Sequence, residues 1–304
     1  MLRSIMLALA GNPTITDVVS RNRFSRQLAK RFVAGDTLDE AVPIVRDLNA
    51  RGFKVTLDAL GENVGDEQAA RDAAATYAAI LDRIAAEGID STISVKLTML
   101  GLDLSDDLTM DNMRTILDRA REHGSFVRVD MEGSAYTQRT LDIFYTLHET
   151  YGDHVGIVLQ SYLYRTDRDV AEAVERRARV RLVKGAYAEP ETVAYADKRD
   201  VNAAYRRHLE LLLDAGTYPA IATHDDALIR VATGYALRMG IGRERFEFQM
   251  LYGVRPDLQR RLVDAGYTLR VYVPFGTQWY PYFTRRMAER PANLVFGLRS
   301  IVGR

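Results

Sequence analysis

From residue 53 to near the end of the chain, short apolar runs alternate with longer stretches of helical periodicity. The first run is Phe53-Lys54-Val55-Thr56-Leu57-Asp58, a strand candidate. An alanine-rich helix over about residues 66–87 follows it, and Gly88 closes that helix. Thr92-Ile93-Ser94-Val95-Lys96-Leu97 precedes a helix from about Met110. Ser125-Phe126-Val127-Arg128-Val129-Asp130 precedes one from about Thr137. Val155-Gly156-Ile157-Val158-Leu159-Gln160 precedes a helix over about residues 167–177. Val180-Arg181-Leu182-Val183 leads through Lys184-Gly185-Ala186-Tyr187 into a long loop and a helix over about residues 201–215. Ala220-Ile221-Ala222-Thr223 precedes a helix begun at Asp225, and Arg245-Phe246-Glu247-Phe248-Gln249 one from about Pro256. Thr268-Leu269-Arg270-Val271-Tyr272-Val273 precedes the last helix, bounded by Pro281 near its start and Pro291 at its stop. Upstream of Gly52 the pattern is helical only. Thr37-Leu38-Asp39-Glu40 has the form of a capping box, and Ala41, Ile44, Val45 and Leu48 follow at helical spacing.

Strict alternation of strand and helix implies a parallel sheet. Eight units in roughly 250 residues, with no linker between them, imply a closed (β/α)8 barrel of the α/β class. An open doubly wound sheet is the alternative, but no G-x-G-x-x-G follows a strand. The expected organisation is an N-terminal helical segment, residues 1–51, packed on a barrel formed by residues 52–304 that carries the site.

Composition narrows the function. Basic and acidic residues are equal at 41 each, so nothing favours a nucleic-acid partner. There is no cysteine, which excludes a thiolate nucleophile and cysteine-ligated metal. Residues 1–11 carry Arg3, an apolar run and Ala8-x-Ala10, in the manner of a very small signal peptide. The run is shorter than the usual apolar core of roughly 7–15 residues, so a short helix on the domain or on a membrane surface is expected instead. No stretch approaches the roughly 20 apolar residues that span a bilayer.

Active sites of such barrels lie at the C-terminal ends of the strands. The polar groups gathered there are Asp58, Lys96, Asp130, Gln160, Arg181, Lys184, Thr223, His224, Gln249 and Tyr272. Each has an ordinary structural use as cap, bridge or buried pair. Together they favour a polar ligand site. Asp130 and Lys96 end different strands and are expected to pair. Only His224 of the five histidines falls at a strand end, and no metal site is expected. Lys96 and Lys184 leave a Schiff-base aldolase open, although acids at the rim oppose the depressed pKa it needs. In the last helix Tyr282, Arg285, Arg286 and Glu289 share one face. That stripe is either a solvated face with an Arg285–Glu289 pair or a clamp for an anionic group such as a carboxylate.

These residues carry a resemblance. Ser94-Val95-Lys96-Leu97-Thr98, Val127-Arg128-Val129-Asp130-Met131-Glu132, Arg181-Leu182-Val183-Lys184-Gly185-Ala186-Tyr187, Ala222-Thr223-His224-Asp225, Glu247-Phe248-Gln249-Met250-Leu251-Tyr252-Gly253 and the closing Tyr282-Phe283-Thr284-Arg285-Arg286-Met287-Ala288-Glu289-Arg290-Pro291 stand in the order of one family. Across about residues 50–300 the chain resembles the proline dehydrogenase family, most closely its short monofunctional bacterial members. The resemblance implies a distorted (β/α)8 barrel with extra N-terminal helices that holds FAD non-covalently. It implies oxidation of L-proline to Δ1-pyrroline-5-carboxylate with electron transfer to a quinone, the first step of proline catabolism. Carried over, Arg285 and Arg286 bind the proline carboxylate and Glu289 steadies them. Lys96 and Asp130 lie beside the substrate, Tyr272 and Tyr282 wall its ring, and Leu251 and Tyr187 form the apolar side. Arg181 sits near the reactive flavin nitrogen. Met131, Gln160, Lys184, Gly185, Ala186, Thr223 and His224 contact FAD.

Ala196-Asp197-Lys198 stands where the bifunctional branch of the family has an arginine, so the resemblance does not extend to the adenosine half of FAD. That branch's aldehyde-dehydrogenase domain is absent here, and only the first oxidation is expected. A lipid-soluble acceptor implies a cytoplasmic protein with peripheral contact on the inner face of the cell membrane. The candidate surfaces are the N-terminal apolar helix and Leu294-Val295-Phe296-Gly297-Leu298. From the residues alone, the aldolase and a non-catalytic amino-acid-binding barrel stay open.

Overall fold

The computed structural model describes residues 29–61 and 63–289, with side chains through residue 284. Eight parallel strands close on themselves in sequence order: β1 (Lys54–Ala59), β2 (Ser91–Val95), β3 (Val127–Val129), β4 (Val155–Gln160), β5 (Arg179–Val183), β6 (Ala220–Ala222), β7 (Glu247–Leu251) and β8 (Leu269–Phe275). β8 pairs with β1 from Lys54↔Arg270 to Ala59↔Phe275, which closes the barrel and rules out the open sheet. Helix α1 (Leu38–Ala50) precedes β1. The others follow their strands in turn: α2 (Glu67–Glu87), α3 (Asp106–Glu122), α4 (Thr137–Tyr151), α5 (Thr166–Glu175), α6 (Lys198–Ala215), α7 (Asp226–Met239), α8 (Pro256–Asp264) and α9 (Trp279–Glu289).

Local chemistry sets the helix ends. Asp66 accepts from the Ala69 N–H at 2.8 Å, and Gly88 leaves α2 in the left-handed conformation. Between them Ala70, Ala73, Ala74, Tyr77, Ile80, Leu81 and Ile84 form the buried stripe. A fully buried residue such as Leu81 contributes about 1.5–3 kcal/mol. Helix α3 begins four residues before the expected Met110, because Ser105 caps it through the Leu108 N–H and Asp106 and Asp107 occupy its first turn. The expected capping box at α1 forms by half. Thr37 accepts from the Glu40 N–H, but the Glu40 carboxylate bonds the Asp36 N–H rather than that of Thr37. The buried face of α1 is Ala41, Val42, Val45 and Leu48. The N-terminal apolar helix and residues 294–298 lie outside the described residues.

The strands alternate with period two, and here the apolar face points outward. Val55, Leu57, Ile93, Val95, Val127, Val129, Val180, Leu182, Phe248, Val271 and Val273 join the helices' apolar stripes in one core. The alternate positions fill the barrel with polar groups, among them Thr56, Asp58, Ser94, Arg128, Arg181, Glu247, Gln249 and Arg270, all buried. Barrel interiors are usually packed with branched apolar residues. Here they hold two polar cavities instead, one above the other.

Candidate active site

The upper cavity measures about 430 Å3 and opens at the C-terminal ends of the strands. Its floor is a charge cluster. Asp58, at the end of β1, is fully buried and accepts two bonds from the Lys96 ammonium, at 2.9 and 3.1 Å. It also accepts from the Tyr272 hydroxyl at 2.6 Å. Asp130, just past β3, accepts from Arg181 Nη1 at 2.7 Å, from Ser94 Oγ at 2.9 Å and from the Tyr272 hydroxyl at 3.0 Å. The expected Lys96–Asp130 pair is present at 3.9 Å but is the longer of two. The nearer partner is Asp58, at 2.9 Å, a residue the sequence offered without a role.

Burial by itself would favour a neutral Lys96, but the Asp58 and Asp130 carboxylates reverse this and hold its pKa above the ordinary lysine value. Burial pushes the Asp58 carboxyl up, and Lys96 works against that rise. Tyr272 is pushed well above the ordinary phenol value, first by burial and then by the two carboxylates. It therefore stays protonated, and its one proton is shared between two acids. Two acids and two cations make the floor neutral overall. Arg181 is fixed by Gln249 through Nε and stacks over the Tyr272 ring at 5.4 Å, while its Nη2 finds no acceptor among the described residues.

The walls come from the loops after β3 to β8. Gln160, at the end of β4, is buried and donates to the Glu132 carbonyl at 2.8 Å. Lys184 pairs with Asp225 at 2.9 Å. Burial would raise the Asp225 carboxyl, and the Lys184 ammonium more than offsets this, leaving it lowered. Gly185 has φ +116°, and a Cβ there would overlap the Tyr162 ring. Glycine is required on both counts. His224 Nε2 accepts the Leu251 N–H at 2.9 Å, which fixes an imidazole unprotonated at that nitrogen. Thr223 Oγ1 accepts the Asp225 N–H at 3.2 Å.

Of the residues singled out in the sequence, Lys96, Asp130, Met131, Gln160, Arg181, Lys184, Gly185, Ala186, Tyr187, Thr223, His224, Gln249, Leu251, Tyr272 and Tyr282 line this one cavity. The side chains of Arg285, Arg286 and Glu289 lie outside the described residues. Asp58, gathered in the sequence with the other strand-end groups, lies beneath the cavity as the Lys96 partner; Ser94 is the functional addition, and the signal for it was the period-two alternation of Ser94 and Lys96.

Fold and site define a (β/α)8 barrel with a polar ligand cavity at its C-terminal rim. Residues 41–298 match the family model described as proline dehydrogenase. The chain is 41% identical over 302 residues to proline dehydrogenase 1 of Bacillus subtilis subsp. natto, covering 99% of each. It is 40% identical over 306 residues to the proline dehydrogenase of Deinococcus radiodurans, covering 99% of this chain and 98% of that one. It also superposes on proline utilization A from Bdellovibrio bacteriovorus inactivated by N-propargylglycine, with a TM-score of 0.84 and 27% identity. That match covers 94% of this chain and 38% of the longer one. The chain belongs to the proline dehydrogenase family.

Proposed function

We propose that this chain is an FAD-dependent proline dehydrogenase that oxidises L-proline to Δ1-pyrroline-5-carboxylate and passes the electrons to a quinone. The observation that carries the reading is the neutral floor of Lys96, Asp58, Asp130 and Arg181 beneath a cavity of about 430 Å3, a size typical of cofactor and ligand pockets. A flavin fits this lining. Gly185 lets backbone approach closely, Arg181 has an Nη2 without an acceptor among the described residues, and Lys184 supplies a cation at the wall. Met131, Gln160, Lys184, Gly185, Ala186, Thr223 and His224 would hold it, with Arg181 beside its reactive nitrogen. When bound, FAD supplies the redox chemistry by accepting the hydride from the ring carbon next to the proline nitrogen.

The protein's share is position and charge. Arg285 and Arg286 fix the carboxylate, Glu289 steadies them, and Tyr272, Tyr282 and Leu251 wall the ring. Positioning of this kind contributes several kcal/mol of barrier reduction, on the order of 7 or more in favourable cases. Lys96 is held as an ammonium and Tyr272 as a phenol, so neither removes the amine proton. Arg181 stabilises charge that develops on reduction. The raised Lys96 pKa also counts against the aldolase, which needs a neutral lysine. Among the described residues no helix is long and apolar enough to cross a membrane. We place the quinone encounter at a peripheral contact with the inner face of the cell membrane. Unchanged liposome flotation after removal of residues 1–10 would exclude that N-terminal segment.

The test is optical. The purified protein should be yellow and should bleach anaerobically with L-proline, then recolour with a soluble quinone. Flavin that L-proline leaves unbleached would make the chain a binder, and a colourless protein trapped by borohydride would restore the aldolase. Arg285→Met and Arg286→Met sharpen the substrate assignment. Truncating one partner of a buried charge pair costs roughly 2–5 kcal/mol, a tenfold to thousandfold fall in kcat/KM for proline. Pyrrolidine, which lacks the carboxylate, should lose little. Equal losses for both substrates would mean the arginines do not read the carboxylate.

A further inference from the structure

The lower cavity, about 140 Å3, lies beneath the floor just described, towards the N-terminal ends of the strands. Its charge is unbalanced. Arg128, Arg179 and Arg270 line it, and Glu247 is the sole carboxylate among the described residues that do. Arg270 holds that carboxylate at both oxygens, with Nε and Nη2 at 2.9 and 3.1 Å. Gln249 and Tyr218 donate to Glu247 as well. Arg181, which also borders the cavity, is committed to Asp130 above.

Arg128 and Arg179 are left with carbonyls only. Arg128 is 2% exposed, and its Nη1 donates to the Ile157 and Arg179 carbonyl oxygens. Its Nε finds no acceptor among the described residues, and neither does Arg179 Nε. Both guanidinium groups stack on one ring, Phe126, at 4.7 and 4.3 Å. Strand β4 gives way to them. A Cβ on Gly156 would sit 2.6 Å from Arg128 Nη1 and 2.7 Å from the Phe126 ring. Burial and the neighbouring Arg181 and Arg179 charges push Arg128 well below the ordinary arginine value. An arginine cannot answer by losing its proton. Burying such charges without a counter-charge is costly, and surrounding dipoles offset it only in part.

We propose that the lower cavity is an anion site, which takes one halide-sized monovalent anion between Arg128 and Arg179. The anion would neutralise charge that Glu247 leaves over and would lie against the guanidinium groups that line the cavity. The site is separate from proline oxidation and stands or falls independently of it.

Bromide is the probe. Crystals of the flavin-loaded protein, soaked in sodium bromide and measured at the bromine edge, should show an anomalous peak within hydrogen-bond reach of both guanidinium groups. In solution, sodium chloride and sodium gluconate at equal ionic strength are compared by thermal melting. Binding to the folded state alone raises Tm by a steady increment for each tenfold rise in chloride above the midpoint, about 2–4 °C. Arg179→Gln, at the half-buried edge of the cavity, should fold and keep its flavin yet lose the chloride dependence. Should Arg179→Gln fail to fold, wild-type melting and diffraction still decide. A cavity holding only water, or equal wild-type Tm in chloride and gluconate, overturns the site.

Discussion

The two ends of one barrel use the same strands for opposite electrostatic designs. β5 supplies Arg179 below and Arg181 above, β7 supplies Glu247 below and Gln249 above, and β8 supplies Arg270 and then Tyr272. At the top, each acid meets a cation within 2.9 Å and the sum is zero. At the bottom, among the described residues, three arginines face one glutamate, and of the three only Arg270 bonds it. A paired cluster need not add stability, since desolvation consumes most of the attraction. What it does add is fixed geometry: Lys96 and Tyr272 are each held by two carboxylates, and Arg181 by three partners. The upper end is therefore a rigid floor ready for a ligand, and the lower end is a reservoir of unspent positive charge.

Removing the lysine from the upper cluster should give the largest effect. Lys96→Met leaves the buried Asp58 and the half-buried Asp130 facing each other across Tyr272. Breaking a buried pair costs about 3–5 kcal/mol. Urea unfolding of the loaded protein should show that loss, and proline turnover should fall with it. A change below about 1 kcal/mol would mean that the top is no better paired than a surface bridge, whose worth is of that size. The comparison between the two ends would then collapse.

Gly185→Ala should come next. The new methyl meets Tyr162, and the backbone stays at φ +116°. Overpacking and a left-handed non-glycine residue each cost about 1–3 kcal/mol. Flavin content after gel filtration should drop while the circular dichroism stays that of the barrel. Full flavin retention would show that the loop after β5 does not cradle the cofactor.

The fold was legible because outer-face residues such as Val55, Leu57, Ile93 and Val95 repeat with a strand's period and the helices between them are well capped. The limits of that reading have physical causes. β3 pairs over only Val127–Val129, although Phe126 and Asp130 on either side still bond to β2 through their backbone, and no propensity marks that point. The Lys96 partner depends on the stagger between β1 and β2, which a one-dimensional pattern does not carry. The polar interior was visible as alternation in Val127-Arg128-Val129-Asp130 and in Arg179-Val180-Arg181-Leu182, but its lower half lies away from the strand ends where such barrels carry their sites.

Tyr272→Phe tests how the top shares one proton. It removes the donor from Asp58 and Asp130 while leaving the ring under Arg181. A buried carboxylate that loses a donor costs roughly 1–3 kcal/mol. Paired with Asp58→Asn in a double-mutant cycle, the loss should be non-additive by about 0.5 kcal/mol or more. Additive losses would show that Tyr272 serves Asp130 alone.

The smallest effect is expected at His224. Its Nε2 accepts the Leu251 N–H, so the imidazole ties the loop after β6 to the end of β7. That role asks for an acceptor at one position, not for a proton that comes and goes. His224→Gln can present an oxygen near Nε2, whereas the shorter His224→Asn cannot. The asparagine variant should lose one hydrogen bond, about 0.5–1.5 kcal/mol, and with it up to roughly tenfold in FAD affinity. The glutamine variant should lie close to wild type. Turnover per bound flavin should be unchanged in both, because a residue that only holds the wall does not touch the transition state. General acid or base catalysis is worth about 100-fold to 10,000-fold. A loss of that size with full flavin, equal in the two variants, would move His224 from holding the cofactor to transferring the proton that Lys96 and Tyr272 are barred from taking.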